Sequence, residues 1–193
     1  MDEKDVKDKD IKILAVVGMS GSGKSVVVDH LTSLGFPKVY FGGMILKEME
    51  NRGIGITPEN EKKFREMIRE TEGKDWVVLQ VVKEVKNLIS AGQKRIVLDG
   101  LYTWTEYKIL KKEFPGKITV LSVVVDKNLR HGRVGKRAER PLNTEEIQER
   151  DRSEIENLEK GGPIAIADYY VLNNSTVEDL NNGVDEVLKK IEF

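Results

Sequence analysis

Apolar and polar positions come in blocks along this chain, and the blocks have two periods. Residues 11–17 (IKILAVV) form a nearly unbroken apolar run closed by Gly18, the pattern of a strand buried on both faces of a parallel sheet. Further β-rich runs recur at residues 38–41, 95–98, 118–125 and 169–172. Between them the spacing predicts helices over 25–33, 44–52, 59–72, 76–90, 105–114, 129–137, 144–159 and 177–191. Thr57-Pro58 before Glu59 and Asn60 opens one helix, Asn143-Thr144 before Glu145 and Glu146 opens another, and Gly92 closes a third. Strand and helix alternate throughout, which predicts a doubly wound α/β fold: five parallel strands with helices on both faces. Segments 53–60 and 138–143 lie between helices, lack an apolar pattern and read as mobile connections.

With 193 residues the chain has the size of one domain, assigned to residues 11–193 after a mixed-charge, flexible arm at 1–10 (MDEKDVKDKD). Hydrophobic residues at 39% supply a core, while 34% charged residues and strand-sized apolar runs argue against a membrane protein. The absence of cysteine excludes a disulfide framework and a thiolate metal site, and it fits a cytoplasmic location. A net charge of −1 gives no argument for a nucleic-acid partner. A monomer or small homo-oligomer is expected.

Residues 18–25 read GMSGSGKS, which satisfies G-x-x-x-x-G-K-S between a buried strand and a helix. In such a P-loop the glycines let backbone N–H groups converge on the phosphates of a nucleoside triphosphate. Lys24 adds a compact positive charge, and Ser25 offers a hydroxyl to Mg²⁺. The expected nucleotide contacts are Gly18, Ser20, Gly21, Ser22, Gly23, Lys24, Ser25 and Val26. A glycine-rich turn without ligand is the bland alternative, and the lysine and hydroxyl after the last glycine argue against it.

The apolar strand RIVLDG ends in Asp99, where a P-loop protein places a carboxylate for Mg²⁺ or for the proton of an acceptor hydroxyl. A turn-forming Asp-Gly pair is the alternative. Arg130, Arg133 and Arg137 recur at helical spacing and Arg140 follows, so their guanidinium groups can converge on a migrating phosphoryl group. A solvated basic helix face would show the same spacing. Arg150 and Arg152 stand amid as many acids in ERDRSEIE and read as salt-bridged surface, with Arg150 a secondary candidate. Neither His30 nor His131 belongs to a metal-ligand cluster.

Together GSGKS, GFP at 35–37, RGIGITPEN at 52–60, EGKD at 72–75 and ADYYVLNN at 167–174 resemble the P-loop small-molecule kinases that include dephospho-CoA kinases and nucleoside monophosphate kinases. The resemblance runs from about residue 11 to 180. It implies an ATP- and Mg²⁺-dependent kinase with a small helical lid around 130–145 and Asn173 bordering the adenine. Catalysis would rest on Lys24, Asp99, Arg133 and Arg137, with the metal at Ser25 and Asp99. Arg133 and Arg137 would also touch the nucleotide, and Arg69 and Tyr102 would line a nucleotide-like acceptor, for which dephospho-CoA is the first expectation. The chain departs from that pattern at Gly43 and Leu46, where such kinases commonly carry Asp and Arg, and at Tyr102, where related proteins tend to have arginine. Tyr102, Trp104 and Tyr107 offer aromatic surface instead. A nucleoside monophosphate kinase and a non-catalytic nucleotide sensor stay as alternatives, and a motor or DNA-linked ATPase lacks the expected basic surface.

Overall fold

Apolar runs become strands here because helices cover both faces of the sheet. The computed structural model describes residues 10–138 and 141–193. Most of the predicted arm at 1–10, and Arg140, lie outside the described residues.

The elements follow in order as β1 (Lys12–Val17), α1 (Lys24–Ser33), β2 (Lys38–Tyr40), α2 (Phe41–Asn51), α3 (Pro58–Thr71), α4 (Trp76–Ser90) and β3 (Arg95–Asp99). Then come α5 (Trp104–Glu113), β4 (Ile118–Val124), α6 (Lys127–Gly135), α7 (Thr144–Glu156), α8 (Gly161–Ala165), β5 (Tyr169–Leu172) and α9 (Val177–Ile191). All strand pairs are parallel, in the order β2-β3-β1-β4-β5. The predicted five-stranded parallel α/β fold is the one observed.

β1 lies at the centre, and its period of two divides the core. Ile13, Ala15 and Val17 join a cluster with Val78, Val81 and Val85 of α4 and Leu110 of α5. Leu14 and Val16 join Val27, Val28 and Leu31 of α1 and Leu180, Val184 and Val187 of α9 on the other face. Leu14 and Val16 are fully buried, each worth roughly 1.5–3 kcal/mol of transfer free energy. A smaller cluster of Ile45, Met49, Phe64 and Ile68 pins α2 to α3.

Helix starts obey side-chain chemistry. The Thr57 hydroxyl accepts from Asn60 N at 3.2 Å with Pro58 in the first turn, and capping boxes join Thr103 to Glu106, Asn143 to Glu146 and Thr176 to Asp179. Gly92 closes α4 at φ 92°. Several elements differ from those the sequence predicts, and α7 is one of them, ending at Glu156 and not at residue 159. α2 begins at Phe41, ahead of two poor helix formers, because the buried Phe41 ring anchors it. α6 ends at Gly135 and not at residue 137. α8, with the sequence GGPIA, is too short to show a period and has no counterpart among the predicted helices. Among the described residues no helix is long and apolar enough to cross a membrane.

Candidate functional site

The loop of residues 18–23 leaves the carboxyl end of the central strand, where ligands of open α/β sheets bind. Gly21 and Gly23 hold φ of 85° and 95°, conformations that side chains rarely adopt. Space is denied there as well. A Cβ on Gly21 would come within 2.5 Å of Val134 Cγ2, and one on Gly23 would collide with the Asn173 amide. α1 starts at Lys24 with no side-chain cap on its first turn, so its N–H groups and dipole point at the loop's concavity. The Ser22 hydroxyl is buried without a hydrogen-bond partner among the described residues.

Backbone and side-chain hydrogen bonds set the loop's shape on the side of β5 and α6. Asn173, 7% exposed, donates from Nδ2 to Ser22 O at 2.7 Å and from its backbone N to Val124 O at 2.8 Å. Its own carbonyl accepts from Arg133 Nη1 at 2.8 Å. Arg130, buried in α6, donates to Ser20 O at 3.0 Å and to Asp151 Oδ1 at 2.7 Å, while His131 Nε2 lies 2.9 Å from Asp151 Oδ2. Burial alone would raise the Asp151 pKa, yet the hydrogen bonds from Arg130 and His131 hold it below the usual carboxylate value. Arg130 is therefore a brace between the loop, α6 and α7.

Charge gathers on the opposite side, around one ring. Lys24 pairs with Asp99 at the end of β3, both largely shielded. Its ammonium lies 5.7 Å from the centre of the Tyr102 ring, and Lys160 Nζ lies 4.5 Å from the same ring. Lys160 pairs with Glu154 Oε1 at 3.0 Å, and Glu154 Oε2 accepts from Ser20 N at 3.0 Å. Burial pushes the Lys160 pKa down against the pull of Glu154. Burial likewise raises Tyr102 and Tyr40 above the ordinary phenol value, with Asp99 adding to both. Glu106, raised by burial, accepts from Tyr102 N at 2.8 Å and Thr103 N at 2.9 Å and so fixes the loop that carries the ring.

The structure brings Lys24, Asp99 and Tyr102 together and joins Arg133 to Asn173. Ser25 is exposed in the first turn of α1, and Val26 packs partly into the core beneath. Arg69 is exposed on α3, close enough for its charge to act on Glu106. Arg137 does not share the face of Arg130 and Arg133: Gly135 ends α6, and Arg137 is exposed beyond it. Several participants escape the sequence reading. Glu154 and Asp151 sit in ERDRSEIE, which reads as salt-bridged surface, Lys160 falls just past the helix predicted over 144–159, and Glu106 and Tyr40 follow no functional motif. The Tyr40 ring lies over Gly42 and Gly43, where a Cβ on Gly42 would meet Cζ at 2.5 Å. Arg150, 3.5 Å from Glu154, is drawn to the same cluster.

Comparison with known proteins agrees with this geometry. Residues 17–159 match the family model described as an AAA domain. A UPF0200 protein of Pyrococcus abyssi is 33% identical over 184 residues, covering 94% of this chain and 97% of its own. Shikimate kinase from Acinetobacter baumannii in complex with shikimate has a TM-score of 0.58 at 19% identity, covering 95% of this chain and 96% of that one. Dephospho-CoA kinase from Campylobacter jejuni has a TM-score of 0.55 at 17% identity, covering 94% and 98%. At such identities the two kinases share the fold with this chain. Cradle, sheet order and sequence match lead to one assignment: the chain has a P-loop kinase-like fold and belongs to the AAA-domain family, together with the UPF0200 proteins.

Proposed function

We propose that this protein transfers the terminal phosphoryl group of ATP to a small nucleotide-like acceptor: to a hydroxyl of dephospho-CoA as the first candidate, or to the phosphate of a nucleoside monophosphate as the second. One observation carries the reading: a P-loop lysine and a strand-end carboxylate, Lys24 and Asp99, meet at the mouth of an anion cradle. The residues present fit a triphosphate. Positive-φ glycines and an uncapped helix start would turn N–H groups toward an anion, and Ser25 with Asp99 would offer Mg²⁺ a hydroxyl and a carboxylate. Ser25 and Asp99 would hold such a metal, which would supply neutralisation of the charge developing on the phosphoryl oxygens.

Lys24 and the loop N–H groups orient the phosphates. Asp99, released from Lys24, is placed to take the acceptor hydroxyl's proton. Arg133 positions the nucleotide through the Asn173 carbonyl, and Arg137 comes from outside α6 when the segment around residues 130–145 closes as a lid. Closure expels water and strengthens each charge interaction. Tyr102 and Arg69 face the acceptor.

The neutral surface at Gly42 and Gly43 favours a second reading, a nucleotide sensor without transfer. An acceptor screen with ATP and Mg²⁺, read by mass spectrometry, separates the two. A phosphorylated product supports the kinase, whereas nucleotide binding with no product from any acceptor supports the sensor. ATP binding that survives Lys24→Ala unchanged would overturn both.

A further inference from the structure

The Tyr102 ring is shared by two ammonium groups, and each has its own carboxylate. Lys24 has Asp99, and Lys160, from the segment just before α8, has Glu154. Lys160 is 7% exposed and Glu154 5% exposed, an expensive place for two ions unless their geometry is used. The geometry is specific. One oxygen of Glu154 meets the ammonium at 3.0 Å and the other accepts the P-loop N–H of Ser20 at 3.0 Å. A carboxylate that bridges an ammonium and a P-loop amide does what two oxygens of a phosphoryl group would do in its place. The ammonium carries three N–H groups, and apart from Glu154 and the ring face no partner meets it among the described residues. Lys24 Nζ, 5.7 Å from the centre of the same ring, lies near enough for its charge to act on Lys160.

We infer that Lys160 is a second phosphate ligand of this site. When a nucleoside triphosphate enters, its ammonium leaves Glu154 for an oxygen of the terminal phosphoryl group. Lys24 makes the equivalent exchange from Asp99 to the phosphates. No covalent bond is made or broken in this step, and the proton stays on Lys160. The inference rests on the nucleotide reading above and adds to it a residue from outside the P-loop that senses the third phosphate. A lysine suits the task, because a compact, flexible point charge can move between two oxygen partners where a planar fork would be held by one.

Titration calorimetry with Mg²⁺ and either ADP or β,γ-imido-ATP tests this without any acceptor. Lys160→Met alone would strand Glu154, so it is combined with Glu154→Gln, and Lys160→Gln, which still donates to Glu154, serves as an independent variant. In both, affinity for the imido triphosphate should fall about tenfold, as for one charge-assisted contact, while ADP affinity stays within about twofold. Lys160→Arg should recover part of the loss. A merely structural lysine would weaken both nucleotides alike. Parental affinity ratios in the folded double variant and in Lys160→Gln overturn the role of Lys160 while leaving the nucleotide reading intact. If instead Lys24→Ala leaves both affinities at the parental level, the nucleotide reading itself fails.

Discussion

The P-loop has two flanks, and they are built from different chemistry. Toward β5 and α6 it is tied by Asn173, Arg133 and the brace of Arg130 with Asp151, contacts made to backbone carbonyls and to one largely shielded ion pair. Toward β3 and α8 it meets two lysine–carboxylate pairs around Tyr102. Backbone bonds on the first flank have no competitor when a ligand arrives, so they define shape. Ion pairs on the second can be exchanged for phosphate oxygens, so they define charge. Damage to the first flank should therefore appear in stability and damage to the second in turnover.

The largest effect expected is on the first flank. Arg130→Ala leaves Asp151 with His131 alone and frees Ser20 O, which should cost about 3 kcal/mol, or roughly 6–12 °C in Tm for a chain of this size. A thermal melt within a degree of the parent would erase the distinction between the flanks. Next, Asp99→Asn keeps the contact with Lys24 but loses the base. A kcat lower by about a hundredfold with Tm and ATP affinity nearly unchanged is the expected outcome, and unchanged kcat would return Asp99 to a turn role.

Arg137→Ala sharpens the comparison from the other direction. Arg137 follows α6 on the first flank, yet its side chain is exposed and has no hydrogen bond or ion pair among the described residues, so it should behave like an exchangeable charge. Its loss should lower kcat by about a hundredfold and leave Tm alone, as for a donor that acts only in the closed state. A change of less than about twofold would mark it as solvated surface.

The smallest effects separate the flanks by the sign of their pH dependence. Asp151 is depressed on folding, so its stabilisation is complete above its unfolded value of 3.8 and is lost as pH falls through the folded value. Glu106 is raised by burial, so its contribution is complete below 4.5 and is lost as pH rises through the folded value. Tm measured from pH 3 to pH 7 should show Asp151→Asn losing ground to the parent as pH rises, and Glu106→Gln gaining. Parallel curves for the parent and both variants would contradict these assignments.

The two flanks also differ in how far the sequence reveals them. The P-loop, the strand-end Asp99 and the capping residues are legible because backbone chemistry dictates residue type at fixed spacing. Asn173 is reached through resemblance. Glu154 is another matter: in ERDRSEIE it is one acid among several, and only its burial against Ser20 N sets it apart from Glu149, which pairs with Arg152 on the surface. Lys160 precedes a helix of five residues with no period to read. The fold was legible nearly throughout, since buried strands and amphipathic helices are written in local patterns. Partners that meet across 134 residues, as Ser20 and Glu154 do, are not.

The ring of Tyr40 over Gly42 and Gly43 also couples three neighbouring positions. A Cβ added at position 43 would stand 3.2 Å from Tyr40 Cδ1, so the exposed ring would have to give by a few tenths of an ångström. A Cβ at position 42 would come within 2.5 Å of Tyr40 Cζ, so a side chain there requires the ring to swing away. Tyr40→Ala would open both positions at once. Any attempt to place new side chains on this surface therefore has to treat positions 40, 42 and 43 as one unit.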